Sequence, residues 1–494
     1  VVGRGRKNIG GLAARRRRNM WVAVLVATVV AVVVATVALV TVRPWTEEFR
    51  HGGLTIAAPP APVKPFPQLN PVSASAPEPS RQGLAAALAR VATSPDLGNF
   101  AGSISDPDTR ATLWSADPDK PMIPASTLKV MTTAAALLVL PPDHRLTTRV
   151  VAGSAPGEVV LVGAGDPTLT AQADGKGYYP NGPKLSDLVA QIRAAGHPVD
   201  TVVVDTSLYS GPTSPAGWDP ADIAGGSWAP IEPVMIDGGR LDPLVEYSPR
   251  SATPALDAGR RLALELGADP AKVRLGKAAP GAAELAHVDS AELRDRLRDM
   301  MIHSDDVLAE TIGREIAAAT GGEQSFAGAA SATLTALKAA GFDTAGVTQI
   351  DNSGLSTDDR VPARLLDRII AESAASAQPG GADPGGTTPP AVVNTGDAAA
   401  VASPLAPLLD YLPVAGGTGS LAVRFVDGGP ERAGAGWVRA KTGTLSVSSA
   451  LAGYVLDRDG RVMTFALMSN DRPPEASRPA LDAVATTLRN CGCS

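Results

Sequence analysis

A serine hydroxyl attacks a carbonyl efficiently only when a neighbouring base takes its proton. Ser126-Thr127-Leu128-Lys129 offers such a pair. On a helix, positions i and i+3 share a face, so Lys129 can reach the Ser126 hydroxyl. Burial or a cationic neighbour disfavours the ammonium form of a lysine and makes it a base. Taken alone, the same spacing also suits an ordinary Ser-Thr helix cap. Near the C-terminus, Lys441-Thr442-Gly443-Thr444 lies in the strand-like run RAKTGTLS. Its cation and hydroxyl could hold a carboxylate, and its glycine admits a close backbone approach. By itself it also reads as a strand-end turn. Between the two, HSDDVLAE carries Ser304-Asp305-Asp306.

Other hydrolytic chemistries lack their usual residues. The five histidines, His51, His144, His197, His287 and His303, sit in no G-x-S-x-G context, and no HExxH spacing occurs. Neither a metal nor another cofactor is expected.

The elements that would position these residues follow from pattern. GLAAALARVA from Gly83 has helical spacing and opens the folded body. ATLWSADPDKPMIPAS reads as a strand, a turn and a Pro-bounded approach to a helix near Ser126, apolar from Leu128 to Leu140 and stopped by Pro141-Pro142. Short β-rich runs (RVVAG, GEVVLVGAG, DTVVVDTS) continue to about residue 285. The stretch from Ser290 to Thr320 reads as two helices separated by HSDD. WVRAKTGTL and LAGYVLDRDGRVMTFALMSN read as strands with a DRDG turn, closed by the helix PALDAVATTLRN. Residues 374–403 are a low-complexity surface insertion.

In order, S-x-x-K, S-D-x and K-T-G form the set used by penicillin-binding proteins and serine β-lactamases. With PASTLKVMTTAAAL, LVGAGDPTL, APIEPVMIDGGRLDP, DNSGLS, YLPVAGGTGSLAVRF and KTGTLSVSSALAGYV, residues 83–490 resemble the D-alanyl-D-alanine carboxypeptidase/endopeptidases, the class C low-molecular-mass penicillin-binding proteins. From Lys129 to Ser304 is 175 residues and from Ser304 to Lys441 is 137. The first gap is much shorter in compact β-lactamases, and an insertion there marks the subgroup.

The resemblance implies an α/β, transpeptidase-like domain (83–150 and 286–494) with inserted β-rich domain(s) at 151–285. It implies Ser126 as acylated nucleophile, Lys129 as its base and Ser304 as proton relay. Lys441 would help bind the substrate carboxylate and Thr442 would orient it. Gly443 would admit the substrate backbone, and the N–H groups of Ser126 and Thr444 would form the oxyanion hole. Peptidoglycan peptides would be substrates and β-lactams covalent inhibitors. A β-lactamase or esterase on the same fold, or an idle wall-binding protein, are the alternatives. One departure stands out: the family's middle motif ends in Asn, whereas this chain has Asp306. An ionised Asp only accepts hydrogen bonds and would favour the non-basic ammonium form of Lys129. Alternatively Asp306 is protonated, or paired with Lys441.

Charge and hydropathy place the body. The 494 residues exceed one ordinary core and suggest two to four domains. Residues 1–18 hold seven Lys and Arg and no acid; without them the formal charge of −6 becomes −13. So acidic a body argues against nucleic-acid binding. Met20 to Val42 is uncharged and long enough to span a bilayer core of roughly 30 Å. The arginines before it predict a basic cytoplasmic tail (1–19), a signal anchor (20–42) and a body outside the cytoplasmic membrane. Residues 43–82 form a Pro/Ala-rich spacer. Cys491 and Cys493 suit a local bridge or free thiols.

Overall fold

The computed structural model describes residues 10–42, 76–172, 174–375 and 403–493, which fall into two units, Val1–Pro71 and Val72–Ser494. The basic segment 1–9, most of the expected spacer (43–75) and the low-complexity insertion 376–402 lie outside the described residues.

In the first unit, helix α1 (Gly10–Val42) contains an apolar, fully exposed stretch, Arg17–Val42, of 26 residues. At 1.5 Å per residue it is about 39 Å long, enough to cross a bilayer core. Thr28, Thr36 and Thr41 donate their hydroxyls to the carbonyls of Val24, Val32 and Val37. That hides three polar groups within the helix itself.

The second unit is built on an antiparallel sheet in the order β12-β13-β14-β1-β2. Its strands come from both ends of the chain: β1 (Asn99–Ser105), β2 (Thr112–Ala116), β12 (Arg439–Leu445), β13 (Ser448–Leu456) and β14 (Val462–Asn470). Period-two alternation decides the two faces. Leu451, Val455, Met463, Phe465 and Leu467 pack with Leu84 and Leu88 of α2 (Arg81–Leu88) and with Leu481, Val484, Ala485 and Leu488 of the C-terminal helix Pro474–Asn490. Each fully buried leucine there contributes about 1.5–3 kcal/mol. The opposite face carries small residues, Ala101, Ala450, Ala452 and Ala466, which let the central helices approach closely. There Asp367 accepts hydrogen bonds from Ser103, Ser105 and Thr464 at 2.6–2.7 Å and ties its helix to β1 and β14.

Beneath that face lie α3 (Lys129–Val139) and, later in the chain, the helices Leu293–His303, Asp306–Ala319 and Ala363–Ala374. The body starts earlier than Gly83. Ser80 caps α2, and both its N–H and its hydroxyl donate to the Cys493 carbonyl at 2.9 Å. Cys491 and Cys493 form a disulfide.

A second sheet, in the order β10-β4-β5-β7-β9, uses β4 (Thr147–Ala152), β5 (Glu158–Val162), β7 (Thr201–Asp205), β9 (Arg274–Leu275) and β10 (Glu284–Asp289). Two further short strands, β6 (Asp166–Leu169) and β8 (Val234–Ile236), pair in parallel, and two more, β3 (Pro121–Met122) and β11 (Val361–Pro362), pair antiparallel. The helices α4 (Leu185–Ala194) and α5 (Pro254–Leu266) cover one side of the second sheet, burying Leu188, Ile192, Ala258 and Leu262 against Val159, Leu161, Val202 and Val204. Strands β4 and β10 pair with each other, so the entering and leaving segments belong to this sheet. Limits at 150/151 and 285/286 therefore cut through strands, and the sheet runs from 147 to 289.

Candidate active site

The longer helices that follow the second sheet are α6 (Leu293–His303), α7 (Asp306–Ala319), α8 (Phe326–Ala339), α9 (Ala363–Ala374) and α10 (Pro474–Asn490). Ser126 sits on a short 3₁₀ turn, Ala125–Leu128, that runs directly into α3. Two glycines let other segments press against this turn. A Cβ on Gly354 would lie 1.9 Å from the Ala125 carbonyl oxygen, and one on Gly443 would lie 2.6 Å from that of Pro124. The K-T-G strand therefore abuts the serine turn only because residue 443 has no side chain.

Lys129 is wholly buried, and each of its three N–H donors finds an acceptor. Its Nζ donates to Ser126 Oγ at 3.0 Å, to Asp306 Oδ1 at 2.5 Å and to the Ser353 carbonyl at 2.8 Å. The carbonyl is aimed by the DNSGLS turn. Asp351 accepts from the N–H groups of Ser353, Gly354 and Ser356 and from the Trp218 indole. Burial raises the Asp306 pKa, and the adjacent Lys129 ammonium opposes that rise.

Ser304 ends α6 in the left-handed region, at φ 57°, a conformation that costs a non-glycine residue free energy and needs support. The support comes from its neighbour. Asp305 caps α7 by accepting from Leu308 N at 2.9 Å. Its other oxygen accepts from Tyr179 Oη at 2.8 Å and Arg240 Nη2 at 3.1 Å. The Arg240 guanidinium stacks 3.3 Å over the Tyr178 ring. Burial alone would raise the Asp305 pKa; Arg240 and then Arg250 outweigh it and hold the carboxyl well below the usual range.

With Ser304 so held, Lys441 Nζ donates to its Oγ at 2.8 Å and to the Thr442 carbonyl at 2.8 Å. Lys441 is also wholly buried. Desolvation pushes its pKa well down, helped by Lys129 and resisted by Asp306. Asp306 thus pairs with Lys129, not with Lys441, whose amine is taken up by Ser304 and its own strand. Strand alternation turns Thr442 and Thr444 away from Lys441 and Gly443. The Thr442 hydroxyl lies 2.6 Å from that of Ser420, and Thr444 Oγ1 accepts from Arg478 Nε at 3.3 Å.

Ser126, Ser304, Asp306, Thr442 and Thr444 all line one cleft of about 1090 Å³, with Lys129 and Lys441 behind its wall. Strand β12 is the edge of its sheet, so beyond Ala440 it can pair with an extended peptide. An amine-activated serine beside a second serine–lysine pair is equipped for acyl transfer. All eight residues singled out from sequence come together here. Ser353, Ser420, Arg478 and the Arg240–Tyr179 clamp were not singled out. DNSGLS and IDGGRLDP mark two of these places in the sequence, but nothing local in either assigns a role.

Comparison with known proteins agrees with this chemistry. The model of the D-Ala-D-Ala carboxypeptidase 3 (S13) family matches residues 84–250, 245–381 and 387–491. Carboxypeptidase DacB of Mycolicibacterium smegmatis is 48% identical over 484 residues, 97% of this chain and 98% of that protein. Carboxypeptidase Rv3627c of Mycobacterium tuberculosis is 48% identical over 448 residues, 90% of this chain and 92% of that one. The fold resembles penicillin-binding protein 4 (dacB) of Haemophilus influenzae with a TM-score of 0.62 at 19% identity, covering 83% of this chain and 98% of that one. By sequence match along the whole folded body, the chain belongs to the D-Ala-D-Ala carboxypeptidase 3 (S13) family.

Proposed function

We propose that this chain is a serine-type D-alanyl-D-alanine carboxypeptidase that trims peptidoglycan stem peptides and is acylated by penicillin. The observation that carries the reading is the 3.0 Å contact between Ser126 Oγ and Lys129 Nζ in one cleft with the Ser304–Lys441 pair, in a member of this family.

The steps balance without a cofactor. Deprotonated Lys129 takes the Ser126 proton as Oγ attacks the carbonyl of the penultimate D-Ala. The oxyanion forms against the N–H groups of Ser126 and Thr444, where one such donor supplies about 2.7–4 kcal/mol. Collapse breaks the peptide bond, and the departing amine receives a proton through Ser304, which Lys441 orients. Water, giving a proton to Lys129, then attacks the ester carbonyl; the acyl–Oγ bond breaks and that proton passes on to Ser126 Oγ, so Lys129 is again neutral. Asp306 holds the Lys129 amine at 2.5 Å and lines the cleft that takes the peptide. An edge strand open beyond Ala440 also suits cross-linked peptides, so endopeptidase cleavage belongs to the same reading.

Helix α1 supports single-pass anchoring, with the basic segment cytoplasmic and the body outside. We assign the catalytic domain to the segments flanking 147–289 and the inserted domain to that range.

Incubation with penicillin, followed by intact mass and peptide mapping, should place one adduct on Ser126. The wild type should release D-Ala from a peptide ending in D-Ala-D-Ala, and Ser126→Ala should do neither. An adduct on Ser304, or label surviving in Ser126→Ala, refutes the assignment.

A further inference from the structure

Ser304 can pass a proton to the departing amine only while its hydroxyl stays where Lys441 Nζ meets it, at 2.8 Å. Its backbone holds that place in the left-handed region, at φ 57°, which costs an L-residue free energy. What keeps it there comes from distant parts of the chain. Asp305, joined to Ser304 by a peptide bond, is gripped by Tyr179 and Arg240, and both belong to the range 147–289.

Arg240 uses every nitrogen of its guanidinium. Nε donates to the Glu246 carbonyl at 3.3 Å, Nη1 to Tyr179 Oη and to the Asp237 carbonyl at 3.1 Å each, and Nη2 to Asp305 at 3.1 Å. Asp237 in turn fixes the tyrosine segment, accepting from Tyr178 N at 3.0 Å and from Thr170 Oγ1 at 3.1 Å. A Cβ on Gly238, at φ 63°, would lie 2.7 Å from Tyr179 Oη and 2.9 Å from Arg240 Nη1. The run IDGGR thus builds one device: Asp237 places Tyr179, Gly238 leaves room, and Arg240 reaches Asp305. The Arg240 and Asp305 side chains are 2% and 1% exposed. A buried ion pair is a poor means of stabilising a fold, since apolar packing of the same volume does as well or better. What this pair fixes is the backbone that carries Ser304.

We propose that Arg240 and Tyr179 are positioning residues of the proton relay: through Asp305 they hold Ser304 where its hydroxyl protonates the departing amine. The inserted domain thereby completes the catalytic machinery. The proposal rests on the carboxypeptidase reading, with Ser304 as relay, and names what the reaction takes from that domain.

The test uses two substrates with the same acyl part, a peptide ending in D-Ala-D-Ala and its thioester analogue with D-thiolactate in place of the terminal D-Ala. An amine leaves only with a proton, whereas a thiol of pKa about 8.5 leaves as thiolate. The quantity read is the amide/thioester ratio of kcat/KM within one variant, which cancels changes in Ser126 reactivity and in folded fraction. Ser304→Ala should lower that ratio by about 100-fold or more, the scale of general acid catalysis. Tyr179→Phe and Arg240→Lys should each lower it by about tenfold, the scale of one hydrogen bond to a charged group. In the Ser304→Ala background the same two changes should leave the ratio where Ser304→Ala alone puts it, because they act through Ser304. Amide and thioester rates that fall together, with the ratio unaltered in both variants, overturn the proposal and leave the clamp a structural contact. A further fall of the ratio in the Ser304→Ala background overturns it as well. If Ser304→Ala itself keeps the wild-type ratio, the relay role fails and the proposal with it. If the wild type releases no D-Ala while penicillin still labels Ser126, the D-Ala-D-Ala reading fails and takes both with it. Penicillin labelling close to one adduct per chain in each variant establishes that the site is folded.

Discussion

Asp306 stands where this family's motif has Asn, and its replacement by Asn is the most informative single change. In the structure its Oδ1 lies 2.5 Å from Lys129 Nζ, which also holds the Ser126 hydroxyl at 3.0 Å. That ion pair stabilises the resting site, and Lys129 must give it up before it can accept the serine proton. A hydrogen bond to a charged group is worth about 1.5–3 kcal/mol. Burial works against the full value, because it raises the Asp306 pKa and reduces the ionised fraction. At about 1.4 kcal/mol per factor of ten, Asp306→Asn should acylate about 10- to 100-fold faster than wild type. As pH falls the wild-type carboxyl takes up its own proton and resembles Asn, so the two rates converge. The assay is the second-order rate of penicillin acylation across pH 5–9. Superimposable profiles would refute the reasoning and leave Asp306 as a neutral isostere.

Three other outcomes follow from the packing. Arg240→Met should strand the buried Asp305 charge and cost about 3–5 kcal/mol in urea unfolding. It should also abolish an acid limb, because a carboxyl held below its unfolded range stabilises the fold above that range and ceases to as pH falls. Glu310 behaves oppositely: burial, aided by Asp351 and opposed by Arg314, raises its pKa to about 8. Its protonated form is favoured in the fold, so stability should fall as pH climbs from the usual carboxyl range through about 8, and Glu310→Gln should flatten that slope in melting curves. Removing residues 1–75 should leave an acylatable enzyme. Removal through Gly83 should lower the melting temperature, since it deletes the Ser80 cap and both hydrogen bonds to Cys493.

What could be read from sequence was what short-range geometry decides. An S-x-x-K on a helix start brings Ser126 and Lys129 together in almost any context, because helical rise and turn put i and i+3 on one face. The DRDG hairpin, the helix stopped by Pro141-Pro142 and the uncharged Met20–Val42 run are likewise local patterns. Strand β1 escaped notice because NFAGSIS lacks strong alternation, and it becomes a strand by lying between β14 and β2. The limits of the second sheet were blurred because β10 joins it only by pairing with β4, which lies far earlier in the chain. The charges depended most on the tertiary fold. Two adjacent carboxylates, Asp305 and Asp306, are indistinguishable in sequence, yet one is clamped by Arg240, 65 residues away, and the other sits on Lys129, 177 residues away. Which cation a buried carboxylate meets depends on the packing of distant helices, and no periodicity along the chain encodes it. The same holds for Arg478: α10 was expected as a helix, but its placement against the edge strand is what brings a guanidinium to Thr444.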